Sequence, residues 1–374
     1  MRALVVEGFE DQLVYPLDRV FPQGSASRVV RGWATAASPT AKTLTYQPLS
    51  AAAAPSGEPV ALRYDYLILA CGASNTVQWH GADSQAAFKG RLRAIRSALA
   101  AAPAVLVAGG GAVGIELAGE IRHAHAAKAV VLATSAGALL ANDAQAVPAM
   151  VAATAGAVAA AGIELRTGVR VEGLAGLGAR ADVRELAPGV YAAAAPGGTF
   201  PVRVGASELS VGLVFATLGS APCTGWLKGG ELAGALDAQG FIRVGRSYQV
   251  AGQADVFAVG DACATEAREA KGVFRAEDQA GIAARNCAAA ARGGALELGP
   301  DFAKSGPIFV VPVGPTRGFG QVPGLCGKNV LSFVAGFKGK DYLTPVFAPK
   351  VGYTVPEGIA ANASVAPLAP AAAQ

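Results

Sequence analysis

The residues with the clearest chemical meaning are four closely spaced glycines, Gly109, Gly110, Gly111 and Gly114. In this spacing the first glycine permits a sharp turn, Gly111 lets backbone amides approach a pyrophosphate, and Gly114 lets a helix pack against its strand. The beginning of that helix offers free N–H groups and the positive end of its dipole to phosphate. We interpret the stretch as a dinucleotide-binding loop; the alternative is a glycine-rich turn in an ordinary βα unit.

The elements expected around these glycines form a βαβαβ unit within residues 102–221. No acidic residue stands about 20 residues beyond the first glycine, where it would bind the adenosine ribose. Thr134 and Ser135 occupy that region, so the sequence does not separate NADH from NADPH. Gly162 is the expected C′ residue of the second helix. The expected elements are a strand at 105–108, a helix from Ile115 through Ile121, a strand at 129–133, a helix at 147–161, a strand at 163–166, short strands between 169 and 204, and a closing strand at 211–217 that ends at Gly219.

The rest of the chain predicts a second set of elements. Period-two patterns separated by turn residues indicate an antiparallel meander. A continuous apolar run that closes on Gly72 indicates a parallel strand covered on both faces. The arginines at 91, 93 and 96 are expected on a solvated helix face. The expected elements are the meander at 28–63, the strand at 64–72, a helix at 82–102, strands at 240–244 and 254–261, a helix at 277–291, a small unit at 305–350 and a disordered tail at 358–374.

Composition places limits on function. The chain has 374 residues, which is enough for about two domains, and 52% of them are hydrophobic. A formal charge of +4 gives little reason to expect a nucleic-acid partner. The five cysteines include no CxxC pair, so a zinc ribbon or a redox-dithiol enzyme is disfavoured and a reducing compartment is expected. The expected location is the cytoplasm, with an organelle as the alternative. His123 and His125 face different directions on a helix, so no metal site is predicted.

Four stretches, in order, resemble the two-dinucleotide-domain flavoprotein reductases. They are YDYLILACGAS, VLVAGGGAVGIELAGEI, VGLVFATLGSAP and DVFAVGDACA. Within that superfamily the chain is most similar to the apoptosis-inducing-factor-like group, particularly its ferroptosis-suppressor branch, and more distantly to type II NADH dehydrogenases. The resemblance implies an α/β fold with two Rossmann-like domains, for FAD and for NAD(P), plus a small C-terminal α+β unit.

The resemblance also implies roles for individual residues. The glycines at 109, 111 and 114 would contact the NAD(P)H pyrophosphate, and Glu116 would lie beside the nicotinamide half; the alternative for Glu116 is a solvated helix carboxylate. Asp261 would bind the flavin ribityl chain or, alternatively, cap a helix, and Gly260 would allow the close approach. Lys271 would lie near the isoalloxazine or be an ordinary surface lysine. The expected cofactor-binding set is completed by Gly72, Gly110 and Gly219.

One departure concerns the start of the chain. This family begins with a strand, its own GxGxxG and a helix that hold the FAD adenosine diphosphate, and no such stretch precedes Gly109. The resemblance therefore implies that about one βαβ unit is absent, either in an incomplete chain or in a derived protein that binds flavin poorly or not at all. The implied division is a partial FAD domain at 1–101, an NAD(P)H domain at 102–221, the second FAD segment at 222–304, an interface unit at 305–357 and the tail.

The function implied is hydride transfer from NAD(P)H to FAD and onward transfer to a quinone-like acceptor, with no catalytic acid or base assigned. The alternative is a non-enzymatic NAD(P)H sensor or scaffold, or a truncated inactive homologue. Residues 329–340 combine apolar and basic side chains, with Lys350 nearby. They are a candidate contact with an anionic membrane or lipid-droplet surface, although packing within the fold is the favoured alternative. The sequence does not give the oligomeric state.

Overall fold

The computed structural model describes residues 1–50, 53–78, 84–141, 143, 146–266, 271–300, 309–321 and 338–353. These residues form two compact units. The first contains the described residues of 1–29, 76–219 and 308–374, and the second those of 30–75 and 220–307. The predicted tail at 358–374 lies outside the described residues, and so does the predicted membrane-contact segment at 329–340 except for its last three residues.

The helices and strands follow the predicted order. The helices are α1 Gln85–Ala101, α2 Ala112–Ala124, α3 Pro148–Ala160, α4 Val273–Ala290 and α5 Thr344–Phe347. The strands are β1 Gly32–Ser38, β2 Thr43–Pro48, β3 Val60–Arg63, β4 Leu67–Leu69, β5 Ala73–Asn75, β6 Ala104–Ala108, β7 Ala129–Ala133, β8 Glu164–Arg166, β9 Val183–Ala187, β10 Val190–Ala193, β11 Phe200–Val204, β12 Ser207–Val211, β13 Leu213–Ala216, β14 Ser220–Pro222, β15 Ile242–Arg243, β16 Val256–Ala258, β17 Cys263–Ala264, β18 Phe309–Pro312 and β19 Gly318–Gln321.

A six-stranded sheet organises the first unit, in the order β8-β7-β6-β13-β10-β9. The strands β8, β7, β6 and β13 are parallel, whereas β10 and β9 continue the sheet in antiparallel fashion. This arrangement confirms the predicted βαβαβ unit and its closing strand. Gly162 has φ of 74°, the left-handed conformation expected of the C′ residue that follows α3.

Alternating side chains of the sheet build two cores in the first unit. Val105 and Val107 face a core shared with α1 and α2, whereas Leu106 faces a core shared with β11. Three α1 side chains are at most 1% exposed in the first core, because they recur at helical spacing along one face. They are Leu92, Ile95 and Leu99.

Further segments pack against α2 in the first unit. Val311, Val313 and Phe319 belong to the same core as Ile121. A Cβ atom at Gly119 would lie 2.4 Å from the backbone nitrogen of Gly314, so the small residue permits this close approach. The first unit thus includes α1, residues 1–29 and the β18–β19 hairpin, whereas the sequence-based division placed them in other domains.

The second unit contains the predicted meander, β1-β2-β3, and the parallel pairs β4-β16 and β15-β17. Its core includes Leu67, Leu69 and Phe257, together with Ile282 on α4. The expectation that the strand at 64–72 is covered on both faces is wrong, because Ile68 is 39% exposed. Successive side chains of a strand point to opposite faces, and only the face of Leu67 and Leu69 meets the core.

Two further differences concern helices. The last long helix begins at Val273, four residues before the predicted start. Arg96 does not lie on a solvated face, because its guanidinium is paired with the buried carboxylate of Glu10 at 2.6 Å. Among the described residues, no helix is long and apolar enough to cross a membrane.

Candidate dinucleotide and flavin sites

The glycine loop lies at the carboxyl end of β6, between the ends of its two neighbours. The Gly109 N–H donates to the carbonyl of Ala133 at 2.8 Å, and the Thr217 N–H donates to the carbonyl of Ala108 at 2.7 Å. Gly109 has φ of 127°, a conformation that favours glycine. A Cβ atom there would lie 2.0 Å from the Thr217 carbonyl oxygen, so a side chain does not fit.

Gly111 and Gly114 serve different purposes in the loop. A Cβ atom at Gly114 would lie 2.0 Å from the Gly109 carbonyl oxygen, so this glycine permits the helix to pack on the turn. At Gly111 a Cβ atom would meet nothing within 4 Å. The fold itself therefore does not require glycine at 111, and the free space lies at the start of α2.

The beginning of α2 is suited to phosphate. Gly111 is the N-cap residue, no side chain caps the first turn, and that turn contains no acidic residue. The first amides of a helix lack intrahelical partners, and together with the helix dipole they favour an anion. These groups fit the pyrophosphate of a dinucleotide.

The end of β7 closes the other side of the loop. Thr134 is 9% exposed, and its N–H donates to the Arg166 carbonyl at 2.9 Å. A Cβ atom at Gly110 would lie 2.9 Å from the Thr134 Cβ atom, so Gly110 permits close packing here. The Thr134 hydroxyl accepts a hydrogen bond from the Ala136 N–H at 3.3 Å.

The predicted flavin residues of the second unit follow two paired parallel strands. Gly72 follows β4 and Gly260 follows β16, and the Val259 N–H donates to the Leu69 carbonyl at 3.0 Å. Both glycines have positive φ, 68° and 73°. Ligand-contacting residues of α/β sheets are typically located at this carboxyl edge. The structure therefore brings Gly72, Gly260 and Asp261 to one edge of the second unit.

Asp261 occupies a short 3-10 turn, Gly260–Ala262, and is partly exposed. It does not cap α4, whose N-cap residue is Gly272. The Gly260 N–H donates to the Gln279 side-chain oxygen at 2.7 Å, which fixes the turn against α4. Close by in sequence, the buried Thr265 hydroxyl has no hydrogen-bond partner among the described residues. A partly exposed carboxylate at the carboxyl edge of these strands fits a polar ligand such as the ribityl chain of FAD.

The two remaining predicted residues are placed as follows. Lys271 donates a hydrogen bond to the Cys263 carbonyl, and its Nζ atom lies 4.8 Å from the centroid of the Phe241 ring. These contacts hold the lysine within the second unit. Gly219 belongs to the first unit, has φ of 109°, and a Cβ atom there would meet nothing within 4 Å.

Glu116 is buried in a group of charged residues that sequence reasoning missed. Its side chain is 3% exposed, and the Lys338 Nζ atom donates to its Oε1 atom at 2.7 Å. One turn later, Glu120 accepts a hydrogen bond from Arg2 at 2.9 Å and from the Tyr342 hydroxyl at 3.4 Å. Glu116 is thus not a solvated carboxylate, and Lys338 is not free to face a lipid surface.

Burial dominates the electrostatics of this group. Desolvation raises the pKa of Glu116, and the ammonium of Lys338 opposes that rise. Desolvation also raises the pKa of Tyr342 well above its ordinary value. The only sequence signal for these contacts was the spacing of Glu116 and Glu120, which places both carboxylates on one face of α2.

A cavity of about 150 Å³ lies elsewhere in the first unit. Small residues line most of it, including Ala102 before β6 and Gly212 before β13, and Arg184 contributes the one cationic group of its lining. These residues precede the strands, so the cavity lies at the amino edge of the sheet. The glycine loop lies at the carboxyl edge, where dinucleotides bind in such sheets.

Comparison with known proteins agrees with this geometry. A family of pyridine nucleotide-disulphide oxidoreductases matches residues 21–288, more than half of the chain. The chain belongs to this family. Its members bind FAD and NAD(P)H, which confirms the predicted cofactors at the level of the family. A comparison with curated protein sequences gave no match.

Solved structures of this oxidoreductase family share the fold. Reduced CoADR-RHD from Bacillus anthracis is 19% identical with a TM-score of 0.52, over 77% of this chain and 47% of that one. The NADH-bound, water-forming NADH oxidase from Lactobacillus brevis is 19% identical with a TM-score of 0.50, over 68% and 52%. Putidaredoxin reductase, in its covalent complex with putidaredoxin, is 22% identical with a TM-score of 0.50, over 74% and 60%. The chain spans about half the length of the first two structures.

Proposed function

We propose that this chain is an NAD(P)H oxidoreductase that uses FAD to pass electrons to a quinone-like acceptor. The observation that carries the proposal is the glycine loop, in which Gly109 and Gly114 are required by the fold but Gly111 is not. A glycine that the protein itself does not need is expected where a ligand must come close to the backbone. Membership of an oxidoreductase family supports the reaction class.

The residues of the chain would bind and orient the cofactors. The uncapped amides at the start of α2 would hold the NAD(P)H pyrophosphate. Asp261 would accept hydrogen bonds from the flavin ribityl hydroxyls, and Gly72 and Gly260 would let the backbone approach the flavin. We do not include Glu116, because its carboxylate is bound by Lys338. When bound, the two cofactors supply the hydride and electron transfer.

The finer parts of the proposal rest on the sequence resemblance. These are the assignment to the apoptosis-inducing-factor-like group, the quinone-like acceptor and a lipid contact through residues 329–340. Because Lys338 is paired with Glu116, the positive charge for such a contact would come from Lys340 and Lys350, which are both exposed.

Gly111→Ala tests the nucleotide site without disturbing the fold. The added methyl group meets open space in the protein but would occupy the approach to the pyrophosphate. We expect the NADH dissociation constant to rise at least about tenfold, or ~1.4 kcal/mol, with an unchanged melting temperature. Gly156→Ala is the matched control, since Gly156 lies on the exposed side of α3 and its Cβ atom would also meet nothing. Equal NADH affinity in both variants would contradict the proposed site.

The flavin part is tested separately by the visible spectrum of the purified chain with added FAD. Flavin absorbance, together with NADH oxidation that depends on an added quinone, would support the enzyme. NADH binding without flavin absorbance would instead support the nucleotide-binding sensor or scaffold.

A further inference from the structure

Two cysteines that are far apart in the sequence are neighbours in the second unit. The strands β5 and β14 are antiparallel, with Ala73 opposite Pro222. The ladder extends by one residue, because the Cys223 N–H donates to the Gly72 carbonyl at 2.9 Å. Cys71 is therefore the diagonal neighbour of Cys223. Strand spacings place such Cα atoms on the order of 6 Å apart, within the ~4.4–6.8 Å that a disulfide spans.

A backbone irregularity at Gly72 separates Cys71 from the regular part of the ladder. In a regular ladder the two side chains would face opposite sides of the sheet, but Gly72 has φ of 68° and interrupts the alternation. The indole N–H of Trp226 donates to the Cys223 carbonyl at 3.1 Å. The side chains of Trp226 and Cys71 both pack against the core of the second unit. Trp226 therefore connects the backbone of Cys223 with the core against which Cys71 packs.

The two thiols differ in their surroundings. Cys223 is exposed and Cys71 is half-buried. Burial raises the pKa of the Cys71 thiol, and the Cys223 thiol adds to the rise. A solute in water therefore reaches Cys223 first. Cys71, its diagonal neighbour in the ladder, can then react with the oxidised Cys223 sulfur.

We propose that Cys71 and Cys223 form an intramolecular disulfide when the protein meets a hydroperoxide. The Cys223 sulfur attacks the peroxide, so an S–O bond forms as the O–O bond breaks, and Cys223 becomes a sulfenic acid. The Cys71 sulfur then attacks the Cys223 sulfur, and the oxygen leaves as water. With hydrogen peroxide, two thiols and one peroxide give one disulfide and two waters, and the peroxide takes up both electrons.

This modification goes beyond the proposed oxidoreductase activity and does not require bound FAD or NAD(P)H. The bond would form next to Gly72, which follows Cys71 directly and is one of the proposed flavin contacts. It would also close a chain loop that contains residues 76–219, the long middle segment of the first unit. A disulfide that closes a long loop stabilises a fold mainly by restricting the unfolded chain. We therefore expect the oxidised protein to melt at a higher temperature than the reduced protein.

The test is treatment of the reduced full chain with hydrogen peroxide, followed by thiol counting in denaturant and peptide mapping without reductant. We expect reactive thiols to fall from five to three, because one bond consumes two of the five cysteines. The cross-linked peptide should contain Cys71 and Cys223, and dithiothreitol should restore both thiols. Cys223→Ser should abolish this cross-link, and its exposed position makes the variant compatible with folding.

Cys287→Ser is the matched control, since this half-buried thiol belongs to the second unit and should leave the cross-link intact. As a second control, the chain is oxidised in denaturant, and its disulfides show which cysteines pair when the protein is unfolded. A cross-link between other cysteines, a dimer joined through Cys223, or Cys71 still reduced when Cys223 is oxidised would each overturn the proposal. Loss of the cross-link in Cys287→Ser would do the same.

Discussion

Removal of the Lys338 ammonium, as in Lys338→Met, should destabilise the first unit by leaving the Glu116 carboxylate buried and unpaired. The Glu116 side chain is 3% exposed, so the remaining charge would have little access to water. Removing one partner of a buried ion pair typically costs about 3–5 kcal/mol. Because the Lys338 side chain is 28% exposed, we expect a loss near the lower end, about 3 kcal/mol. For a unit of this size that lowers the melting temperature by roughly 6–12 °C.

The pH dependence identifies the cause of this loss. A carboxyl group whose pKa is raised by folding takes up protons in the native state, so stability is present at low pH and is lost as pH rises through the raised pKa. Burial raises the pKa of Glu116, and Lys338 opposes that rise. Without Lys338 the pKa should rise further. The penalty of Lys338→Met should therefore be small near about pH 4 and large near about pH 7.

Two variants make the prediction refutable by thermal and urea unfolding. Lys340→Met removes an exposed lysine two residues away and should change stability by less than about 0.5 kcal/mol. Adding Glu116→Gln to Lys338→Met removes the unpaired charge and should recover most of the loss. Equal stability of Lys338→Met and Lys340→Met would refute the buried pair. If the stability loss of Lys338→Met is independent of pH and is not relieved by adding Glu116→Gln, the cause is lost packing of the lysine side chain.

Two further predictions concern the proposed binding residues. Gly114→Ala places a Cβ atom 2.0 Å from the Gly109 carbonyl oxygen. It should therefore lower the free energy of unfolding by about 3 kcal/mol and also reduce NADH binding. Unchanged urea unfolding would contradict this contact. Asp261→Ala should weaken FAD binding by about 1.5–3 kcal/mol, the range for hydrogen bonds to a charged group, as measured by flavin fluorescence. NADH affinity should not change in Asp261→Ala, because the glycine loop belongs to the other unit.

The local elements were predictable because their signals are local. An apolar run, three glycines at fixed spacing and an apolar helical pattern identify β6, the loop and α2 without reference to the rest of the chain. The same holds for the meander, in which turn residues separate strands of period two. The exposed face of β4 was not predictable, because a run of apolar residues does not reveal whether both faces are covered.

The contacts of α2 were not predictable, because their partners are remote in sequence. Arg2 binds a carboxylate 118 positions away, and Lys338 binds one 222 positions away. No periodicity or motif links such residues. The Cys71–Cys223 neighbourhood has the same origin, because the register of β5 and β14 creates it. The absence of a CxxC motif excludes only a pair of cysteines that are close together in the sequence.

The two roles of α2 explain why the family fingerprint was informative for the glycines and uninformative for Glu116. At its beginning, backbone atoms face a ligand, and their geometry depends on glycine at fixed positions. One turn further on, carboxylate side chains face other segments of the same unit, and any suitably placed cationic side chain can pair with them. Lys338 does so for Glu116. Gly111→Ala should therefore change binding without changing stability, and Lys338→Met should change stability without changing the NADH affinity of the folded protein.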